Sequence, residues 1–212
     1  MPRNKVYAIV EGHGEADPPS PGADPAANVL IIRLLQYTEC WAWFPAKRRP
    51  YRLNSCGDFY PKIENLLQVL DAHREYADCA AVLVLFDIDD DNPCEIGPAV
   101  AQRIRQHQAQ RGAYPFSIVV VCAHREYESW FLASLESIHP GQRGPDAPET
   151  FRDPKNWLRR YFGYQPVRHQ AQYTQAIDLS LAQERSRSFR RLLHAFEQLA
   201  SACHTGQQIL TP

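Results

Sequence analysis

No apolar run in the sequence is long enough to cross a bilayer: the longest, Ala80 to Phe86, falls far short of the roughly 20 residues a membrane helix needs. The six cysteines (Cys40, Cys56, Cys79, Cys94, Cys122, Cys203) show no CxxC spacing, which removes the usual structural-zinc patterns. Several lie among apolar residues, so reduced thiols in a cytoplasmic protein are expected. The opening Met1-Pro2-Arg3-Asn4-Lys5 passes straight into a strand-like run without a small-residue cleavage site, and no signal peptide is expected. There is no internal repeat. Net charge is also scarce, at −1, which is not the signature of a broad basic DNA-binding surface.

That small total hides an asymmetry. Residues 1–106 sum to −4 and residues 107–212 to +3, and from Thr150 onward 9 Lys/Arg face 4 Asp/Glu. An acidic front and a basic tail suit a metal site beside a phosphate-binding surface, although solvated helices give the same imbalance.

With 212 residues, 44% of them hydrophobic, one packed domain with a modest appendage is expected. Lys5 to Val10 reads as a strand. The four prolines between Ala16 and Ala26 exclude regular structure there, leaving a mobile loop, and Asn28 is placed to cap a helix beyond it. Trp41, Trp43 and Phe44 are expected to be buried. Ile63, Leu66, Leu67 and Leu70 share one helical face. Ala80 to Phe86 and Pro115 to Cys122 are apolar on both faces, as central strands of a parallel sheet are. Helices are expected over 97–110 and 129–137, with Trp130 and Phe131 in the core. Beyond Gly141 a Pro/Gly-rich linker leads to helices and no convincing strand; Phe189, Leu192, Leu193, Phe196, Leu199 and Ala200 make the clearest stripe. The expected fold is therefore α/β, a mostly parallel central sheet with helices on both faces. Residues 1–140 would form the α/β domain and 141–212 a helical extension packed on it.

Each of the three best strands is followed at once by carboxylates: Glu11 and Glu15, then Asp87, Asp89 and Asp91, then Glu126 and Glu128. Parallel strands deliver their C-terminal ends to one edge of the sheet, so these clusters should converge. Converging carboxylates need a cation or bound protons, and an all-oxygen set favours Mg²⁺ or Mn²⁺. Each cluster also has a plainer reading. The aspartates could cap the next helix, Gly12 and Gly14 could serve a turn with positive φ, and Glu126 and Glu128 could complement a helix dipole. The conjunction of three clusters favours the metal site. Glu11-Gly12-x-Gly14-Glu15 is not a dinucleotide fingerprint, since the third glycine is missing and a Pro-rich loop replaces the required helix. His13 and His124 flank the acidic residues and read as hydrogen-bonded loop residues.

An apolar strand ending in Glu11-Gly12-x-Gly14-Glu15, with another ending in Asp87-x-Asp89, resembles the Toprim superfamily. The segment Arg125 to Ala133, with Lys155-x-Trp157-Leu158, Gln170, Asp178 and Ser186-x-Ser188-Phe189, is similar to a bacterial family of unknown function grouped with Toprim proteins. Relatives of that group include OLD-family nucleases and RloB-type proteins of phage-defence loci, which work beside an ABC-type or AAA ATPase. Asp90-Asp91-Asn92-Pro93 stands where topoisomerases continue Arg-Glu-Gly, which argues against a topoisomerase or primase.

The resemblance implies Mg²⁺-dependent (or Mn²⁺-dependent) phosphodiester hydrolysis in nucleic acid, with one or two ions. Glu11, Asp87 and Asp89 would be catalytic. Asp87 and Asp89 would hold one ion and Glu11 would bind metal or act as general base. Glu15, Asp91 and Glu128, with Glu126 as an alternate, would complete a second site. Arg125, Lys155 and Arg187 would contact phosphates, with Arg159, Arg160, Arg190 and Arg191 as further candidates. The alternative is a non-catalytic partner or sensor module of a defence ATPase. Small-molecule phosphoryl chemistry ranks third, because receiver and phosphatase folds carry Asp where this chain has Glu11. DNA versus RNA is left open, as is a homo-oligomer.

Overall fold

The computed structural model describes residues 2–53, 59–89 and 91–211, so Cys56 and Asp90 lie outside the description. In chain order the elements are β1 (Lys5–Val10), α1 (His13–Ala16), α2 (Ala26–Tyr37), β2 (Phe44–Pro45), β3 (Tyr51–Arg52), α3 (Phe59–His73), β4 (Cys79–Asp87) and α4 (Pro93–Arg111). Then follow β5 (Ser117–Ala123), α5 (Glu128–Ala133), α6 (Leu135–Ile138), a 3-10 turn at Pro148–Thr150, α7 (Pro154–Phe162), α8 (Pro166–Ala176), α9 (Leu179–Arg185), α10 (Arg187–Thr205) and β6 (Leu210–Thr211).

The strands form one sheet in the order β2-β1-β4-β5-β6, with β3 pairing the second half of β1. Every pairing between these strands is parallel. The expected α/β architecture, a mostly parallel sheet covered on both faces, is what the chain adopts. The apolar runs divide by alternate residues. Val6, Ala8, Val10, Leu83, Leu85, Val119 and Val121 join a core built with α2, α5 and α10. Tyr7, Ile9, Val82, Val84, Ile118 and Val120 join a second core under α3 and α4. Because both faces are covered, these strands are apolar throughout rather than alternating.

From β1 the chain moves outward to β2 and β3 through α2 on the first face. It then returns past β1 to β4 through α3 on the second face, and on to β5 through α4. Direction and face reverse together, so these crossovers share one hand. The reversal leaves a crevice between the C-terminal ends of β1 and β4, where open α/β sheets bind ligands.

Residues 141–211 share the first core with the sheet: Phe189, Leu192, Leu193, Phe196 and Leu199 are all fully buried. Trp130 and Phe131 are core residues as well. Several local expectations fail for identifiable reasons. Pro25 takes the N-cap position of α2, while Asn28 is buried one turn in and its Nδ2 donates to the Ala46 carbonyl at 3.1 Å. The cap of α4 is Asn92, whose side chain accepts from Cys94 N at 3.1 Å, and neither Asp89 nor Asp91 serves. Trp41 and Phe44 are exposed, at 66% and 48%, because they follow α2 and open the outer edge strand; Trp43 alone packs against the core. β6 is too short to leave a periodic signal, and it exists because Leu210 and Thr211 reach the edge of β5. Cys40, Cys79, Cys94, Cys122 and Cys203 are free thiols. Among the described residues no helix is long and apolar enough to cross a membrane.

Candidate functional site

The crevice between β1 and β4 opens into a cavity of about 460 Å³ lined by Glu11, Gly12, His13, Arg52, Leu53, Asp87, Asp89, Glu126 and Lys155. Glu11 follows β1, Asp87 closes β4, and Glu126 follows β5, so the three strand ends do bring their carboxylates to one edge. β3 adds Arg52 from the outer side, and the start of α7 adds Lys155.

Beneath this rim lies a buried acidic layer. Glu15, on α1, is 5% exposed and Glu128, opening α5, is 0% exposed. The amide of Gln170, on α8, donates to Glu15 Oε1, and the Tyr164 hydroxyl donates to Glu128 Oε1 at 3.0 Å. Asp87 Oδ1 accepts from the backbone of Tyr127 at 2.9 Å. Tyr127 in turn packs its ring on Trp130 and pairs its hydroxyl with Thr174 at 2.9 Å. Glu15 and Glu128 are thus held by partners from the C-terminal segment, and Asp87 by the backbone just after β5. One oxygen of each of Glu11, Glu15 and Glu128 nevertheless has no hydrogen-bond partner among the described residues.

The electrostatics follow from this crowding. Burial, and after it Glu15 and Glu128, holds the Asp87 carboxyl well above the usual carboxylate range. Glu15 is likewise raised by burial, against the pull of the Gln170 amide. Glu128 is pushed up to about 8 by burial, with Lys155 opposing. Two ammonium groups supply part of the missing positive charge. Lys155 Nζ stands 2.8 Å from Glu126 Oε1 and 3.8 Å from Glu128 Oε2, and Lys62 Nζ stands 2.6 Å from Glu11 Oε1. Burial alone would lower Lys155, but Glu128 and Glu126 outweigh it and keep the ammonium charged.

Gly12 and Gly14 are needed for space. Neither is among the residues with positive φ, contrary to the turn expectation. A β-carbon on Gly12 would collide with the Glu15 carboxylate, and one on Gly14 with the Gln170 amide. Backbone strain is found one strand away: Asp89 and Arg125 have φ of 44° and 70° and form an antiparallel bridge, with Asp89 N donating to Arg125 O at 3.0 Å. Such conformations are costly in non-glycine residues and cluster at functional loops.

Not every expected residue converges. Asp91 lines a smaller cavity of about 110 Å³ that it shares with Asp87, Asp89 and Lys62. Arg125 contributes backbone at the rim but is not among the residues lining the cleft. Arg187 lies at the start of α10, in a separate cavity. Lys155 is in the cleft itself, bound to carboxylates, because α7 packs on α5 and its first turn donates Lys155 N to Glu126 Oε2 at 3.1 Å. Sequence reading missed the parts played by Lys62, Arg52 and Tyr164. It had Gln170 only as a motif residue, and nothing short of the fold pairs it with Glu15. His13 and His124 are hydrogen-bonded or paired as expected, to Asp17 at 3.1 Å and Glu149 at 3.6 Å.

The carboxylates of the cleft offer oxygen donors, a set suited to a hard divalent cation, and the His13 imidazole at its edge is engaged by Asp17 and Arg52. Among the described residues, no three His, Cys, Asp or Glu side chains stand in a geometry that would hold one. The unpartnered oxygens of Glu11, Glu15 and Glu128 are the part of the arrangement that fits such an ion.

The model of one protein family, a domain of unknown function designated DUF4276, matches residues 22–197. The chain belongs to that family. Within DUF4276 the matched stretch includes Asp87, Asp89, Asp91, Glu126, Glu128, Lys155, Gln170 and Arg187, while Glu11 and Glu15 precede it. Comparison with curated proteins and with solved structures finds no match.

Proposed function

We propose that the cleft binds one or two Mg²⁺ or Mn²⁺ ions and hydrolyses phosphodiester bonds in nucleic acid, as Toprim enzymes do. The observation that carries this reading is the buried acidic layer: burial first, and crowding by neighbouring carboxylates after it, holds Glu15, Asp87 and Glu128 above the usual range, while Glu15 and Glu128 each keep an unpartnered oxygen. Lys155, Lys62 and Arg52 are three cations among six carboxylates, so room for positive charge remains.

In this reading Asp87 and Asp89 hold the first ion from the end of β4. Glu11 reaches the cleft with one oxygen on Lys62 and the other free, and accepts the proton of the attacking water. Glu15 and Glu128 complete the charge beneath, and Asp91 approaches from the smaller neighbouring cavity. Lys155 and Arg52 face the cleft where the phosphate and the leaving oxygen would lie. The ions would supply polarisation of the phosphoryl oxygens and a more acidic bound water.

The test is cleavage of single-stranded and duplex DNA and of structured RNA with Mg²⁺ or Mn²⁺. It compares wild type, Glu11→Gln and Asp87→Asn, with and without a co-encoded ATPase. Metal-dependent cleavage lost in both variants supports the reading. No cleavage under any condition, or equal cleavage by all three proteins, overturns it and leaves a non-catalytic partner module.

A further inference from the structure

A second cavity is larger than the acidic cleft. About 590 Å³ of space lies between the first turns of α4 and the first turns of α10, against the C-terminal half of β5. This is within the range of small-ligand pockets. Its wall is apolar where Val120, Val121, Cys122 and Pro98 line it.

Its lining carries Arg185, Arg187, Arg190 and Arg191 against Asp91, Asp146 and Glu149; Arg185 is paired with Glu136, and Asp146 with Arg143. Arg187, Arg190 and Arg191 recur at helical spacing on the exposed side of α10 and all line the cavity. Arg190 is fixed by the carbonyls of Gln183 and Glu184 at 3.1 and 3.0 Å. Arg187 and Arg191 make no ion pair or hydrogen bond among the described residues. The carboxylate nearest them in the chain's own wiring is already engaged: Glu149 accepts from Ser186 Oγ at 2.7 Å and from Ser188 N at 2.8 Å, with His124 at 3.6 Å. Ser186 Oγ caps Phe189 N at 3.0 Å, so the helix amides are taken and the guanidinium groups are what an anion would meet. Planar guanidinium groups suit phosphate oxygens, and an apolar wall suits a flat ring.

We propose that this cavity binds a nucleoside monophosphate, either free or as the phosphorylated end of a strand, with its phosphate on Arg187 and Arg191 and its base against the β5 wall. The site is separate from the acidic cleft and stands whether or not that cleft is catalytic.

The experiment is titration calorimetry on the full chain in EDTA, with mononucleotides, inorganic phosphate, and one oligonucleotide with and without a terminal phosphate. Mononucleotides should bind about tenfold or more tightly than inorganic phosphate. Arg187→Glu with Arg191→Glu should weaken them about tenfold or more, and so should Ala147→Trp, which fills the cavity from an exposed position without changing charge. Circular dichroism establishes that these variants fold. Glu11→Gln should bind as wild type, which separates this site from the metal cleft. Tighter binding of the phosphorylated oligonucleotide than of mononucleotides assigns the ligand to a strand end; the reverse assigns it to a free nucleotide. No binding at millimolar nucleotide, equal binding of inorganic phosphate, or undiminished binding by both variants overturns the proposal.

Discussion

Gln170 donates its side-chain amide to Glu15 across 155 positions of sequence, and both side chains are buried. Among the described residues Glu15 meets no other side-chain hydrogen-bond donor, so the stability of α1 depends on α8. Gln170→Leu should cost about 1–3 kcal/mol, the range for leaving a buried acceptor unsatisfied, and thermal unfolding reads it directly. An unchanged melting temperature would mean that Glu15 turns to solvent in the folded protein.

The same contact makes Gly14 irreplaceable for steric reasons. Gly14→Ala should destabilise the fold by about 1–3 kcal/mol, the range for overpacking. Since the added methyl meets the Gln170 amide, Gly14→Ala combined with Gln170→Ala should lose less than the two single changes together. Strict additivity in denaturant titrations would place the strain elsewhere.

Glu128 sets a pH dependence. Its folded carboxyl titrates near 8 against an ordinary value of 4.5, so the folded state binds the extra proton between those limits. Stability in chelator is therefore greatest below pH 4.5 as far as this group is concerned, and falls as pH rises through 8. Glu128→Gln should flatten that part of the curve. A wild-type melting temperature independent of pH across the window would contradict it.

If the cleft takes a divalent ion, the ion stabilises the folded chain by RT ln(1 + [L]/Kd), about 2.7 kcal/mol at a hundredfold excess over Kd. Millimolar Mn²⁺ or Mg²⁺ should raise the melting temperature of wild type and leave Asp87→Asn unmoved. Equal shifts in both would point to sites elsewhere.

Much of this was legible in the sequence, and the limits have a physical cause. β4 and β5 are apolar on both faces, which only a covered parallel sheet tolerates, and their acidic ends follow from strand direction. That placed Glu11, Asp87, Asp89 and Glu126 at one edge. The periodicity of α10 also survived, because its buried stripe runs over several turns. What stayed hidden depends on contacts remote in sequence. Lys155 reads as a phosphate contact from its charge alone; only the packing of α7 on α5 sets it against Glu126 and Glu128 as well. Arg187 was displaced from the acidic residues by the length of the helical segment between α5 and α10. Asn28 reads as a cap by residue type, yet the helix already begins at Ala26, after Pro25, with no side-chain cap.

The sheet and the helices after Gly141 form one core, so Phe189→Ala should cost about 3–5 kcal/mol and lower a single cooperative transition. Two separate transitions would show that the two segments fold apart.

The wiring of the acidic layer also orders events during synthesis. β1 and α1 leave the ribosome early, yet Glu15 gains its amide only when Gln170 has been made, and Glu128 its hydroxyl only with Tyr164. Until then a nascent sheet would bury carboxyls that lack their donors. The Gln170–Glu15 contact spans 155 positions, which favours late, slow consolidation, whereas Tyr164 and Glu128 are only 36 apart. Fragments ending before α8 should expose this edge and aggregate, whereas the full chain closes it in its final folding step.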